Sequence, residues 1–211
     1  ETDHTEDQLP QVDIYKYKQV IFVGDSRTEF MENVLTGMGE SATKNVKFVC
    51  SAGKGLDWFT TTGWAQLYSI VQHDSNSILS KKTAVIFNFG VNDLSKSADY
   101  AEYYNWIAPQ LKSKGCELYF MSVNPVNRLM LPNAGRADRS EAAVRSFNQY
   151  MKANLSSAYT YIDMYSYLKS TGYSFASDKY GSGTIDDGLH YTAKTYKRIY
   201  AKCMDSLRVP V

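Results

Sequence analysis

Three short segments, far apart in this 211-residue chain, carry side chains that together can run acyl transfer. Gly24-Asp25-Ser26 supplies a hydroxyl. Gly90-Val91-Asn92-Asp93 supplies a carboxamide. Asp187-Gly188-Leu189-His190 supplies an imidazole with a carboxylate three residues before it. A serine hydroxyl attacks a carbonyl only if a base takes its proton, and that base needs a partner to fix its tautomer. Ser26, His190 and Asp187 are candidates for these roles, with Asp186 a rival to Asp187. Asn92 is a candidate donor to the oxyanion formed on attack. Gly53 is a candidate backbone donor, with Gly55 its rival.

Each segment also has a plainer reading. Ser26 alone reads as a helix N-cap, Asn92 as a turn residue, and Asp187 as a cap beside a surface histidine. Of the three histidines, His4 lies in a polar leader stretch and His73 in a polar helix without an obvious partner. His190 is the informative one.

The elements that would position these residues follow from hydrophobic pattern. Apolar runs at 19–23, 46–50, 83–89, 117–123 and 160–162 predict strands of the continuous kind that are covered on both faces. Helical patterns follow at 26–37, 65–78, 97–114, 137–155 and 192–207, with Gly37 and Gly115 as stops and Thr192 as an N-cap. Strands alternating with helices predict an α/β fold, a three-layer α/β/α sandwich of about five parallel strands. Sites in such sheets form past the carboxyl ends of strands, and Gly24, Gly53, Gly90 and Asn124 all fall there. Ser26 then opens a helix, where its own N–H is unpaired and can face an oxyanion.

Composition sets the outer bounds. The chain is long enough to bury one core without metals or disulfides. A net charge of +1 advertises no nucleic-acid surface, and no apolar run reaches a membrane span. Cys50, Cys116 and Cys203 are too few and too widely spaced for a disulfide framework or a zinc site; they read as buried thiols, with one disulfide left open. The 17 tyrosines suit a surface that handles sugars. Residues 1–17 read as a flexible N-terminal tail or linker and 18–211 as one catalytic domain. The start without Met or a leader reads as a processed, secreted protein or a trimmed chain.

Together, Gly24-Asp25-Ser26, Gly53, Gly90-Val91-Asn92-Asp93 and Asp187-Gly188-Leu189-His190 resemble the four ordered blocks of the SGNH (GDSL-like) hydrolase family, from about Val20 to Leu207. The resemblance implies a flavodoxin-like sandwich and ester hydrolysis with no metal or other cofactor. It implies Ser26 as nucleophile, His190 as base and Asp187 as its orienter. The oxyanion hole would be Ser26 N–H, Gly53 N–H and the Asn92 amide. Two blocks depart from the pattern. Arg27 follows the serine where the family usually has an aliphatic residue, and Cys50-Ser51-Ala52 precedes Gly53 where it usually has Asn. The Arg27-Thr28 version looks like a bacterial subgroup of exported or surface-linked members, so a secreted or cell-surface location is expected, with the cytoplasm kept open.

Arg27 reads either as an ion-pair partner of Glu29, Glu32 or another carboxylate, or as a substrate contact. Trp58, Phe59 and Trp64 read either as a stacking surface for a sugar ring or as core. Asn124 opens the run Asn124-Pro125-Val126-Asn127-Arg128, a candidate wall of the cleft. No long apolar stretch is available to line a fatty-acyl tunnel. The expected reaction is removal of short acyl groups, above all acetyl, from a glycan or similar small ester. O-acyl transfer by the same fold and a catalytically silent glycan-binding domain are the alternatives.

Overall fold

The computed structural model describes residues 9–73 and 82–207. Five parallel strands, β1 (Tyr17–Gly24), β2 (Val46–Cys50), β3 (Lys82–Asn88), β4 (Cys116–Met121) and β5 (Tyr159–Ile162), form one sheet in the order β2-β1-β3-β4-β5. In register, Val20 lies beside Val46 on one side and Ala84 on the other. The order reverses direction at β1 and β3, so a crevice opens at their carboxyl ends.

The two faces of the sheet bury two cores. Val20 and Phe22 point to one face with Ala84, Ile86, Tyr119 and Met121; Ile21 and Val23 point to the other with Val85, Phe87, Leu118 and Phe120. Period-two alternation with apolar residues on both sides explains why the central strands β1, β3 and β4 read as largely continuous apolar runs. Helices α1 (Ser26–Thr36), α6 (Met164–Thr171) and α7 (Ala193–Ser206) cover the first face. Helices α3 (Trp64–His73), α4 (Ser97–Ser113) and α5 (Glu141–Asn154) cover the second. A short α2 (Leu56–Trp58) runs into α3 through a wide π-turn, Phe59–Gly63. This is the expected three-layer sandwich.

Local chemistry adjusts the expected boundaries. The pattern at 65–78 is realised as Trp64–His73, and its remainder lies outside the described residues. The pattern at 137–155 starts as a helix only at Glu141, because the Ser140 side chain accepts the Ala143 N–H at 3.0 Å and caps it. Thr192 caps α7 as expected. Helix α6 was not anticipated from the sequence; it is eight residues long and starts where Asp163 accepts the Ser166 N–H at 3.1 Å.

The tyrosines divide between core and surface. Tyr100, Tyr104, Tyr191, Tyr196 and Tyr200 are among the largest fully buried side chains and build the core, while Tyr15, Tyr150 and Tyr180 are exposed. Tyr100 Oη donates to Asp93 at 2.7 Å and Tyr191 Oη to the Pro125 carbonyl, whereas the hydroxyls of Tyr104, Tyr196 and Tyr200 are buried with no partner among the described residues. All three cysteines are free thiols; Cys116 and Cys203 are buried and Cys50 is half-buried. Of the expected tail, residues 1–8 lie outside the described residues, Leu9 and Val12 pack against the α1/α7 core, and Tyr17 belongs to β1. Among the described residues no helix is long and apolar enough to cross a membrane.

Candidate active site

Strand β1 ends in a turn that only glycine allows. A Cβ on Gly24 would lie 2.0 Å from Thr28 Oγ1 and 2.8 Å from the Asn88 carbonyl, so the first turn of α1 could not close against β3. Asp25 then caps the helix. Its side chain accepts the Arg27 N–H at 3.0 Å, and its carbonyl accepts those of Thr28 and Glu29. Ser26, the first helical residue, is left with an N–H that has no acceptor among the described residues. Burial pushes the Asp25 carboxyl up to about 6, against the pull of the Arg27 N–H and guanidinium.

The loop before α7 brings in the base. Asp187 Oδ1 accepts the backbone N–H groups of Leu189 at 2.9 Å and His190 at 2.8 Å, which folds the carboxylate back over its own loop. Asp187 Oδ2 faces His190 Nδ1 at 2.6 Å, and His190 Nε2 faces Ser26 Oγ at 2.8 Å. A carboxylate only accepts, so Nδ1 carries the proton and the Nε2 lone pair is turned to the serine hydroxyl. Asp186 turns elsewhere, accepting the Gly188 N–H at 2.8 Å. Phe30, one turn along α1 from Ser26, stacks on the imidazole with centroids 4.3 Å apart. Ser26, Asp187 and His190 are all buried.

Burial keeps the ring in its basic form. Burial lowers the His190 pKa; Asp187 opposes this, and the Arg27 and Arg136 charges add to it. Burial acts to raise Asp187, but hydrogen bonds from His190 and the Leu189 N–H prevail and hold it below the usual carboxylate range. Arg136 is a second partner of Asp187: its Nε and Nη2 each lie 3.3 Å from Oδ2.

The strand order puts the other candidate donors on either side of the nucleophile. Gly53 follows β2 and Asn92 follows β3, the two neighbours of β1. The Gly53 N–H has no acceptor among the described residues, and its loop is tied to α1 where Glu29 accepts the Ala52 N–H at 2.6 Å. Gly90 has φ +129, and a Cβ there would meet the Phe147 ring at 2.5 Å, so the chain can leave β3 this way only with glycine. Asn92 Nδ2 donates to the Lys54 carbonyl at 2.8 Å, and its Oδ1 accepts from Arg139 Nη2 at 3.0 Å. One Nδ2–H therefore bridges the β2 and β3 loops across the end of β1. Asp93 fixes the same junction, accepting the Leu56 N–H at 2.8 Å and the Tyr100 hydroxyl at 2.7 Å.

Two expectations are corrected here. Arg27 is neither an ion-pair partner nor a substrate contact. It is 4% exposed and donates from Nε to the Leu189 carbonyl at 2.9 Å, from Nη1 to Asn124 at 2.7 Å and from Nη2 to Pro125 at 2.8 Å. Its guanidinium also lies 5.0 Å from the Tyr191 ring centroid. A planar fork of five donors can satisfy a buried charge with carbonyls alone. Asn124 is likewise turned inward, 2% exposed, with its Oδ1 unpartnered beside a small internal cavity shared with Arg27, Asn88 and Tyr196. Its candidacy as a cleft wall fails on burial. Phe59 is fully buried, and Trp58 packs on Phe89 at 6.1 Å while keeping part of its surface exposed. Phe30, Arg136 and Arg139 were not anticipated. Phe30 stands four residues after Ser26, one helical turn, which is the only signal the sequence offers for it; the two arginines carry none. Among the described residues no cluster of His, Cys, Asp and Glu is placed to hold a metal.

A serine hydroxyl at the switch point of a 2-1-3-4-5 sheet, hydrogen-bonded to a buried His–Asp pair, is the arrangement that acyl-transfer chemistry requires. The family is shown by sequence as well: the chain belongs to the GDSL-like lipase/acylhydrolase family, whose model matches residues 20–203, and is an ester-bond hydrolase. A comparison with curated proteins finds no match. Among solved structures, a protein from Slackia heliotrinireducens named as an SGNH hydrolase is similar at 13% identity and TM-score 0.61, covering 90% of this chain and 98% of its own. The acetyl xylan esterase AlAXEase is similar at 12% identity and TM-score 0.59, covering 90% and 100%. The esterase EstA from Pseudoalteromonas sp., solved in a form inhibited by monoethylphosphonate, is similar at 10% identity and TM-score 0.51, covering 90% and 96%. At these identities the likeness is one of fold.

Proposed function

We propose that this chain is a serine esterase that removes short acyl groups, acetyl foremost, from a glycan through an acyl-enzyme. The observation that carries this reading is the unbroken relay from Ser26 Oγ to His190 at 2.8 Å and on to Asp187 at 2.6 Å. In this mechanism His190 Nε2 takes the Ser26 proton as Oγ attacks the ester carbonyl. The oxyanion is received by Ser26 N–H, Gly53 N–H and the uncommitted Asn92 Nδ2–H. His190 then protonates the leaving alcohol, and water activated by the same ring releases the acid and restores Ser26.

Three features support the acetyl and glycan parts. Apart from Phe30 on the imidazole, polar and cationic residues stand near the relay, with Asn92, Arg136 and Arg139 at hand, which suits a hydrated alcohol better than an alkyl chain. Trp58 keeps a partly exposed ring in the segment that follows Gly53. The similar fold of AlAXEase, named for acetyl xylan, agrees with such a substrate. A secreted or surface location belongs to the same reading, since polymeric glycan esters lie outside cells.

The test combines labelling with a substrate panel. A fluorophosphonate probe should label the wild-type protein and not a folded Ser26→Ala variant. Acetate release from acetylated xylan, and kcat/KM for p-nitrophenyl acetate above that for the octanoate, are the expected results. Labelling of Ser26→Ala at the wild-type rate would remove the nucleophile assignment. A clear preference for octanoate would remove the short-acyl reading, and acetyl transfer to an added oligosaccharide faster than to water would replace hydrolysis by transfer.

A further inference from the structure

We propose that Arg139 is a positioning residue of the oxyanion hole, holding the Asn92 carboxamide in the one orientation that leaves an N–H for the reacting carbonyl. This rests on the reading of Asn92 as an oxyanion donor.

A carboxamide can turn over by half a rotation, exchanging its oxygen and its NH2 with little change in shape, so its partners decide which way it points. At Asn92 they leave no choice. Arg139 can only donate and the Lys54 carbonyl can only accept, and they grip opposite ends of the amide at 3.0 and 2.8 Å. Turned over, the amide would set NH2 against a guanidinium and oxygen against a carbonyl. An oxygen in the NH2 position would also repel the oxyanion it should receive.

Arg139 is itself anchored. Its Nε donates to the Val91 carbonyl at 2.6 Å and its Nη1 to the Ala137 carbonyl at 2.8 Å. One planar group thus holds both the backbone just before Asn92 and the Asn92 side chain. It stands directly before Ser140, the cap of α5, so it is attached to a rigid helix start. A cation on Oδ1 also polarises the amide and strengthens the N–H groups at its other end, an effect that grows where water is excluded. Lysine cannot reproduce this. A single ammonium lacks the fork that reaches Val91 and Asn92 together.

The experiment is a double-mutant cycle read in kcat and KM for p-nitrophenyl acetate, with circular dichroism to confirm folding. Asn92→Ala should lower kcat by about 10²- to 10³-fold, the usual loss for one oxyanion donor. Arg139→Gln should lower kcat by roughly ten-fold with KM changed by less than about two-fold, and Arg139→Lys should fall between. In the Asn92→Ala background, Arg139→Gln should change kcat by less than about two-fold, because the group it positions is gone. A folded Arg139→Gln enzyme with wild-type kcat would overturn the proposal. So would an equal loss in both backgrounds, which would mean that Arg139 acts through the fold. If Arg139→Gln does not fold, Arg139→Lys runs the same cycle. An Asn92→Ala enzyme with full kcat would instead overturn the oxyanion assignment itself.

Discussion

Arg27 Nε donates to the carbonyl of Leu189 at 2.9 Å, so the residue after the nucleophile holds the residue before the base. The same guanidinium holds the carbonyls of Asn124 and Pro125, past the end of β4. Two loops from distant parts of the chain converge on one buried cation at the start of α1. Removing it would leave the Leu189 and Asn124 carbonyls buried without their donor, while Pro125 keeps the Tyr191 hydroxyl. Arg27→Met should therefore lower stability by on the order of 3 kcal/mol, read from urea unfolding. It should reduce kcat/KM by the same factor for an anionic and a neutral acetyl ester. A loss confined to the anionic ester would put the side chain back in contact with substrate.

Asp187 and Asp186 make opposite contacts, which separates them by mutation. Asp187→Asn exchanges an acceptor for a donor opposite His190 Nδ1 and favours the wrong tautomer. In a serine protease the equivalent change lowers kcat by about 10⁴-fold. Here Arg136 faces the same oxygen, and the backbone N–H bonds to Oδ1 remain, so a loss anywhere from about ten-fold to that limit is expected. Asp186→Asn should cost much less, since its contact is with the Gly188 N–H. If Asp186→Asn does the greater damage to kcat, the relay is misassigned.

Arg136 gives a prediction in pH. Its charge helps to hold the His190 pKa down, together with burial. Arg136→Gln removes a cation that disfavours the imidazolium, so the His190 pKa must rise. The acid limb of the kcat/KM profile should move to higher pH, and activity at mildly acidic pH should fall while the alkaline plateau changes little. An acid limb that stays in place or moves down would show that Arg136 does not act on the ring.

Asp25 carries a linkage prediction of the opposite sign from most carboxylates. Its pKa is raised on folding, from 3.8 to about 6. Its contribution is therefore fully favourable below the unfolded value and is lost as pH rises through about 6. At neutral pH the buried carboxylate costs stability, of order 3 kcal/mol for a shift of about two units. Asp25→Asn keeps an oxygen to cap the Arg27 N–H but cannot ionise. The variant should gain stability relative to wild type as pH climbs from about 4 to 6 and hold that gain above it, measured as Tm against pH. A stability difference that is flat with pH would sink the claim.

Strands were legible because burial on both sheet faces leaves mostly apolar residues in them, as at Val20-Ile21-Phe22-Val23. Ser26, Asp187 and His190 were legible because their roles depend on side-chain type and on short spacings within a loop. Arg27 was misread for the converse reason. Its partners are three carbonyls, which every residue has, so no sequence signal distinguishes them from a missing carboxylate. Arg136 and Arg139 escaped notice because their targets are 51 and 47 residues away and carry no pairing motif. Asn124 misled because a polar residue past a strand end suggests a cleft, whereas here it turns under the sheet toward Arg27. The buried tyrosines misled for a different reason: a phenol is apolar over most of its surface and packs into the core with a hydroxyl partner, as at Tyr100, or without one, as at Tyr104.

Ser26 and His190 are separated by 164 residues, and α7, directly behind His190, packs against α1, directly behind Ser26. The serine and all three proposed oxyanion donors are complete by Asn92, less than halfway along the chain. The candidate base and its orienter come much later, in the loop ahead of α7. A chain synthesised only as far as Asn92 would therefore hold the serine and the proposed donors but no base. By the same logic, a protease cut in the loop ahead of α7, followed by loss of that helix, would silence the enzyme without altering its nucleophile or its oxyanion hole.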